Sequence, residues 1–356
     1  MTRAKSTEVN IYDFEGPVTG RLIPDGPMPM LSCEGSAYEC GVQLGGAWLE
    51  VLQFDASKMT SKKAWWKDRR YAKLISKFAP HLPDLYRGMA AGAGLDEDMV
   101  SDRASEDTGG CTSFAIAPEA TLDGQPISGQ SKDVSCKRGM QLLVLRLKVK
   151  DGPSSLTMTY PGWLFGHGFV TGGTSIFRNS LYVESPRSGM PYNIWGILAL
   201  HCPTVEAVVK MTRDNPPATC SHTTIADENG GIAGIELGRD AMCVLKPQEG
   251  VYAHANCIMH DKKLMAQEKE NKTFTRADSL HRTHRMYDQL LPESGRLTPQ
   301  LAYRAMCDHD GFPVCIRRHE ALRAITAAVV IAEPTRGLLH VTRTMPCQSW
   351  PRTYSL

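Results

Sequence analysis

The chain has 356 residues, 42% of them apolar and 22% charged, which is ordinary for a folded globular protein and excludes a disordered one. Forty basic residues against 38 acidic ones leave a net charge of only +2, so nothing electrostatic points to nucleic acid or an anionic membrane as partner. The N-terminal MTRAKSTEVNIYDFEG lacks the apolar core of a secretory signal, and no run approaches the ~20 apolar residues of a membrane span, so a cytoplasmic location is expected.

The first hundred residues read as mostly helical. AYECGVQLGGAWLEVLQF (37–54) spaces Val42, Leu49 and Leu52 near helical period. HLPDLYRGMAAGAGLDEDMV carries a second helical pattern, with Gly94 placed to end it. At TGGCTSF (108–114) the texture changes to strands: TSFAIA, the turn LDGQP (122–126), then ISGQSKD returning. LLVLRLKVK places Leu143, Leu145, Leu147 and Val149 on one face of a strand, opposite Arg146, Lys148 and Lys150. SLTMTY and TSIFRNSLYV continue as strands. Two helices follow at 193–201 and 204–214, the second capped by Thr204. HTTIADENGGIAGIEL is a hairpin turning at 228–231. VYAHANC is a strand, 278–291 a charged helix, 299–307 another helix, and TAAVVIA and GLLHVTR close the chain as strands. No repeat or long linker interrupts this order. A single α+β domain over 1–356, with sheets between helical layers, is expected.

Several kinds of chemistry are absent from the sequence. There is no GxxxxGK[ST] phosphate loop and no GxSxG elbow, and FGHGFVTGG lacks a strand-to-helix setting. The pair His281 and His284 sits amid Arg282, Arg285 and Asp288 and reads as a solvated helix face. Asp308-His309-Asp310-Gly311 reads as a loop more than as a metal site. The eleven cysteines include no CxxC pair, so neither a disulfide framework nor a zinc knuckle is indicated, and most are expected to be buried as small hydrophobes.

Cys111 differs in its setting, because it begins a strand directly after two glycines. A thiol there has a base available if it becomes the first residue of a chain: an α-amine of pKa about 8 lies close to a thiol's roughly 8.5. Gly110 fits such a processing site, since it lacks a Cβ and Gly109-Gly110 can adopt positive-φ conformations. A structural buried thiol, and a papain-like cysteine using His222 or His254 as base, are the alternatives.

With these residues in view, the sequence resembles the acyl-CoA:6-aminopenicillanic acid acyltransferase (isopenicillin N acyltransferase-like) family of peptidase class C45, which are N-terminal-nucleophile (Ntn) hydrolases. The similarity runs in order from about residue 31 to 346: LSCEGSAYECGVQLGGAW, DLYRGMAAGAGLDEDMV, GGCTSF, ISGQSKD, YAHANC, and VCIRRH followed by TAAVVIA. GGCTSF is the most specific of these segments. The resemblance implies a four-layer αββα sandwich and self-cleavage between Gly110 and Cys111, giving an α chain of residues 1–110 and a β chain of residues 111–356 that stay associated. It implies Cys111 as thiol nucleophile, Asn256 as oxyanion donor, Asp133 as the residue that orients the new N-terminus, Ser113 as a hydroxyl near the substrate, and Arg323 beside the site, with Arg317 and Arg318 competing for that role. The implied substrate is a small-molecule amide or acyl-CoA, processed through a thioester with no cofactor and no metal. Water or an amine takes the acyl group, and the oligomeric state is left open. SDRASED (101–107) departs from the family pattern before the cleavage site. It motivates the competing expectation of an uncleaved, non-catalytic binding protein on the same scaffold. Ser131-Lys132 stands where the family often has a larger or aromatic residue before the aspartate.

Overall fold

A computed structural model of the chain describes residues 28–50, 64–100, 109–183, 188–271, 274–311, 314–316 and 324–356. The SDRASED segment and Arg317, Arg318 and Arg323 lie outside the described residues. In chain order, β1 (Met30–Gly35) and α1 (Ala37–Glu50) precede α2 (Ala72–Phe78) and α3 (Leu82–Ala93). Then come β2 (Ser113–Ile116), β3 (Ile127–Val134), the short α4 (Cys136–Gly139), β4 (Leu143–Val149), β5 (Ser155–Thr159), β6 (His167–Val170) and β7 (Thr174–Ser180). Helices α5 (Tyr192–Leu200) and α6 (Val205–Asp214) lead into β8 (Ser221–Asp227), β9 (Ile232–Leu237), β10 (Met242–Leu245) and β11 (Val251–His254). The remainder is α7 (Lys262–Met265), α8 (Arg276–Leu290), α9 (Pro299–Met306), β12 (Ile325–Glu333), β13 (Leu338–Val341) and β14 (Arg352–Ser355).

The local chemistry that marks these elements in the sequence is the chemistry that ends and starts them. Gly94 closes α3 in a left-handed conformation (φ 63°), and the Thr204 side chain accepts the Ala207 N–H at the start of α6. The hairpin between β8 and β9 turns where 228–231 predicts it, with Asp227 accepting the N–H groups of Asn229 and Gly231.

Two sheets form. One has eight strands in the order β1-β4-β5-β6-β7-β8-β9-β10, and the other six in the order β11-β2-β3-β12-β13-β14. Outside the first sheet, α1, α3, α5 and α6 pack on Leu143, Leu145, Leu147, Ile176, Ile225 and Ile235. Outside the second, α8 and α9 bring Met286, Leu290, Ala302 and Met306 against Phe114, Ile127, Val329 and Ile331. Between the sheets, Val144, Leu156, Met158, Phe169 and Phe177 meet Ala328, Val330, Leu339 and Val341. The result is a four-layer αββα sandwich, the architecture expected for an Ntn hydrolase. Burying side chains of this size contributes about 1.5–3 kcal/mol each.

The α1–α3 pair explains the glycines of GVQLGG and RGMAAG. A Cβ on Gly41 would lie 2.1 Å from the Leu85 carbonyl, and one on Gly88 would lie 2.0 Å from that of Tyr38. The helices cross too closely for a side chain there. No helix among the described residues is long and apolar enough to cross a membrane.

Candidate active site

Cys111 lies two residues before β2, which runs between β11 and β3. The ladder continues past the end of the strand. Gly110 N–H donates to the Asp133 carbonyl and Asp133 N–H donates to the Gly110 carbonyl, each at 2.9 Å. The backbone before Cys111 is therefore held in register with β3. Gly110 does not adopt a positive φ, so the expectation of a strained glycine is not met. The need for glycine here is spatial, because a Cβ would come within 2.2 Å of the Phe274 ring.

The backbone N–H and carbonyl of Cys111 are both held by side chains. Cys111 N–H donates to Asn256 Oδ1 at 3.0 Å, and the Cys111 carbonyl accepts from Asn179 Nδ2 at 3.0 Å and from Arg282 Nη1 at 2.9 Å. One residue upstream, Tyr182 O–H donates to the Gly109 carbonyl at 3.3 Å. Asn256 sits just beyond β11, with its Nδ2 donating to the Ser180 carbonyl at 3.0 Å. Its Oδ1 receives two obligate donors, which fixes the amide orientation. Asn256 thus offers Cys111 its oxygen in this structure, while its N–H groups face Ser180.

Arg282 is the residue that sequence reasoning misplaced. It was expected on a solvated face of the charged helix, yet its side chain is fully buried. Its Nη1 also donates to Thr112 Oγ1 at 2.7 Å, its Nη2 donates to Asn256 Oδ1 at 2.9 Å, and Asp278, one turn earlier, pairs with it at 2.9 Å. His284 is exposed and His281 half-buried, so the solvated reading is correct for those two and wrong for the arginine between them. A periodic signal was present: Ser279, Arg282, Thr283, Met286 and Leu290 share one helical face, and all are buried.

Asp133 and Ser113 are drawn into the same region. Asp133 Oδ1 accepts the Thr326 hydroxyl at 2.7 Å, and Oδ2 accepts that of Ser131 at 3.3 Å; Ser131 Oγ itself accepts the Thr112 N–H at 2.9 Å. Ser113 Oγ donates to Asn179 Oδ1 at 2.5 Å and lies 2.7 Å from Thr224 Oγ1. Asn179, which sequence reasoning did not select, therefore ties Ser113 to the Cys111 carbonyl. Behind it, His222 Nδ1 meets Asn179 Oδ1 at 2.8 Å and His222 Nε2 meets Tyr252 O–H at 2.7 Å. His254 stacks on His222 with ring centroids 3.5 Å apart and pairs with Glu236 at 2.9 Å. Both rings are committed elsewhere, and burial followed by the neighbouring His254 holds His222 neutral, far below its usual pKa. The arrangement offers no support for a papain-like histidine base.

The electrostatics are those of an intact, closed site. Cys111 is 1% exposed. Burial first, and the Asp133 charge second, push its thiol up to about 12, while Arg178 and Arg282 pull it down. Burial raises Asp133 to about 6 against the lowering influence of Arg282 and Thr326. Lys132, also buried, falls to about 7 through burial and the positive charges of Arg178 and Arg138.

Residues 155–336 match the protein family described as acyl-coenzyme A:6-aminopenicillanic acid acyl-transferase. That span holds Asn179, Asn256 and Arg282 and begins after Cys111 and Asp133. No curated protein matches the sequence. Among solved structures, the chain is similar to a Caenorhabditis elegans ortholog of N-acylethanolamine-hydrolyzing acid amidase, at 15% identity over 69% of this chain and 100% of that one, with a TM-score of 0.45. It is also similar to conjugated bile acid hydrolase from Clostridium perfringens (14% identity, 68% and 97% covered, TM-score 0.39). Penicillin V acylase from Agrobacterium tumefaciens is similar at 11% identity, with 70% and 80% covered and a TM-score of 0.39.

Proposed function

The chain belongs to the acyl-coenzyme A:6-aminopenicillanic acid acyl-transferase family, and from that premise we propose that it is a self-cleaving thiol enzyme that moves acyl groups through a thioester on Cys111. The observation that carries this reading is the grip on the backbone around one bond, Gly110–Cys111. Gly110 O, Cys111 N and Cys111 O each have a fixed partner, in Asp133, Asn256, and Asn179 with Arg282 respectively. Buried backbone groups are paired in any fold; what sets this segment apart is that buried polar side chains from three other parts of the chain converge on Cys111.

In the first reaction, Cys111 Sγ attacks the Gly110 carbonyl carbon. Charge developing on Gly110 O is met by the Asp133 N–H that it already accepts. The C–N bond breaks, the carbon–sulfur bond remains, and the thiol proton ends on the Cys111 nitrogen. Water then hydrolyses the thioester, releasing Gly110 as a carboxylate and restoring the thiol. Before cleavage Cys111 N is an amide and cannot act as base. The Asp133 carboxylate, whose charge acts on the thiol more than that of any other group, accepts the proton in transit.

After cleavage, the new α-amine takes over as base, with an ordinary pKa of about 8 that nearly matches a thiol's. Asp133 holds its charged form in place. Asn256 turns an N–H from Ser180 toward the oxyanion of the incoming acyl group, a contact typically worth about 3–4 kcal/mol. Ser113 and Asn179 keep the Cys111 carbonyl oriented. The substrate is a small-molecule amide or acyl-CoA, and water or an amine resolves the thioester. The parallel pairing of β1 with β4, together with the core shared by α1, α3 and β4, keeps residues 1–110 joined to 111–356 after the cut.

The test is to incubate purified protein with a panel of amide and thioester acyl donors and quench it in acid. Mass mapping should find the acyl group on the peptide beginning at Cys111. A protein that takes no acyl group from any donor, with Cys111→Ala indistinguishable from the unaltered chain in turnover, contradicts the proposal and returns the scaffold to a binding role.

A further inference from the structure

Away from Cys111, three soft ligand-bearing side chains converge that the sequence scatters over 39 positions. His309 lies in the loop after α9, Cys315 in the short segment 314–316, and Cys347 in the 3-10 turn Pro346–Gln348. One ligand atom from each lies within 4.8 Å of the other two. The convergence is enforced by the backbone. Cys315 N–H donates to the Asp308 carbonyl at 3.0 Å, and the Tyr303 hydroxyl on α9 bonds the carbonyls of Pro346 and Ser349, binding the 346–349 turn to the helix.

We propose that His309, Cys315 and Cys347 bind a thiophilic divalent cation of the zinc class, with a solvent molecule completing four ligands. Two thiols and an imidazole are a donor set typical of tetrahedral zinc, whose bonds of about 2.0–2.3 Å place ligand atoms roughly 3.5–3.8 Å apart. Small side-chain adjustments close the observed spacing to that range. A disulfide between Cys315 and Cys347 would leave the imidazole without a purpose in the group, which favours the cation.

The site reaches Cys111 through the backbone. Ile316, next to Cys315, donates its N–H to Thr326 Oγ1 at 2.8 Å, and that hydroxyl donates to Asp133 Oδ1 at 2.7 Å. A cation at Cys315 would pin this segment and hold Thr326 on Asp133. It is a structural clamp, one link removed from the catalytic group.

The experiment uses full-length protein purified in reducing buffer, loaded with zinc sulfate and passed over a chelating resin. Elemental analysis should then find about one zinc per chain, and cobalt substitution should give thiolate-to-metal charge-transfer absorption. His309→Ala and Cys347→Ser should lose both signals, whereas Cys111→Ala should keep them. In the unaltered protein, release of the zinc by mercurial titration of its thiols should lower the melting temperature, a readout that needs no variant. Protein that retains no zinc after the resin, or peptide mapping that finds a Cys315–Cys347 disulfide in place of free thiols, overturns the proposal.

Discussion

The space between the two sheets divides into an apolar half and a polar half, and β7 runs through both. Phe177 projects into the first, against Met158, Val330 and Val341. Asn179, two residues on and on the same face, projects into the second, against Ser113, His222 and the Cys111 carbonyl. A single pleat separates a hydrocarbon contact from a network that includes Ser113, Thr224, His222, Tyr252, His254 and Glu236, all buried. Packing in the apolar half tolerates changes in shape at the cost of stability. In the polar half Ser113, Asn179, His222, His254 and Glu236 each hydrogen-bond two or more partners, so removing one leaves others unsatisfied. The first half holds the sheets together, and the second fixes where the Gly110–Cys111 peptide sits.

The largest expected effect comes from the polar half. Arg282→Met removes the donors to Cys111 O, Thr112 and Asn256 and strands Asp278, so it should cost about 3–5 kcal/mol of stability and stop fragment formation in a gel time course. Phe177→Ala should cost a similar ~3–5 kcal/mol by opening a cavity, yet at low temperature cleavage should proceed at nearly the unaltered rate. If both variants lose stability and cleavage together, the division between the halves fails.

A pH series sharpens the comparison. Asp133, raised from 3.8 to about 6, favours its neutral form in the fold. Its contribution to precursor stability is therefore present below its ordinary pKa and is lost as pH rises through about 6. In the proposed mechanism cleavage uses the ionised form, so its rate should climb with pH around a midpoint near 6. Thr326→Val removes a hydrogen bond to that ionised form and should move the midpoint upward; a flat profile in the unaltered protein would remove Asp133 as the base. The smallest effect is expected for Ser113→Ala, which leaves Asn179 Oδ1 still bonded to His222. Stability should fall by about 1–3 kcal/mol, read by urea melts, with cleavage slowed by less than about tenfold.

Most of the fold was legible because its signals are local. Alternation in LLVLRLKVK, the Gly94 stop, the Thr204 cap and the turn at 228–231 each dictate structure within a few residues. GGCTSF singles out Cys111 as the candidate nucleophile, and Asp133, Asn256 and Ser113 lie around it in the fold. Arg282 was not foreseen because its charge masked its place on a buried helical face, and the partners that make its burial tolerable come from 171 and 26 residues away. Asn179 was hidden in an ordinary strand, where alternation tells which face a residue takes but not what it meets there. The grouping of His309, Cys315 and Cys347 depends on how α9 meets the C-terminal turn, which no spacing rule encodes.

The central claim is that the protein breaks its own chain at Gly110–Cys111. Intact-mass measurement of freshly purified protein tests it most directly. Self-cleavage should give two species, residues 1–110 and 111–356, that co-elute under native conditions, and one full-length species for Cys111→Ala. A single full-length mass for the unaltered protein, unchanged after prolonged incubation above pH 6, would contradict it.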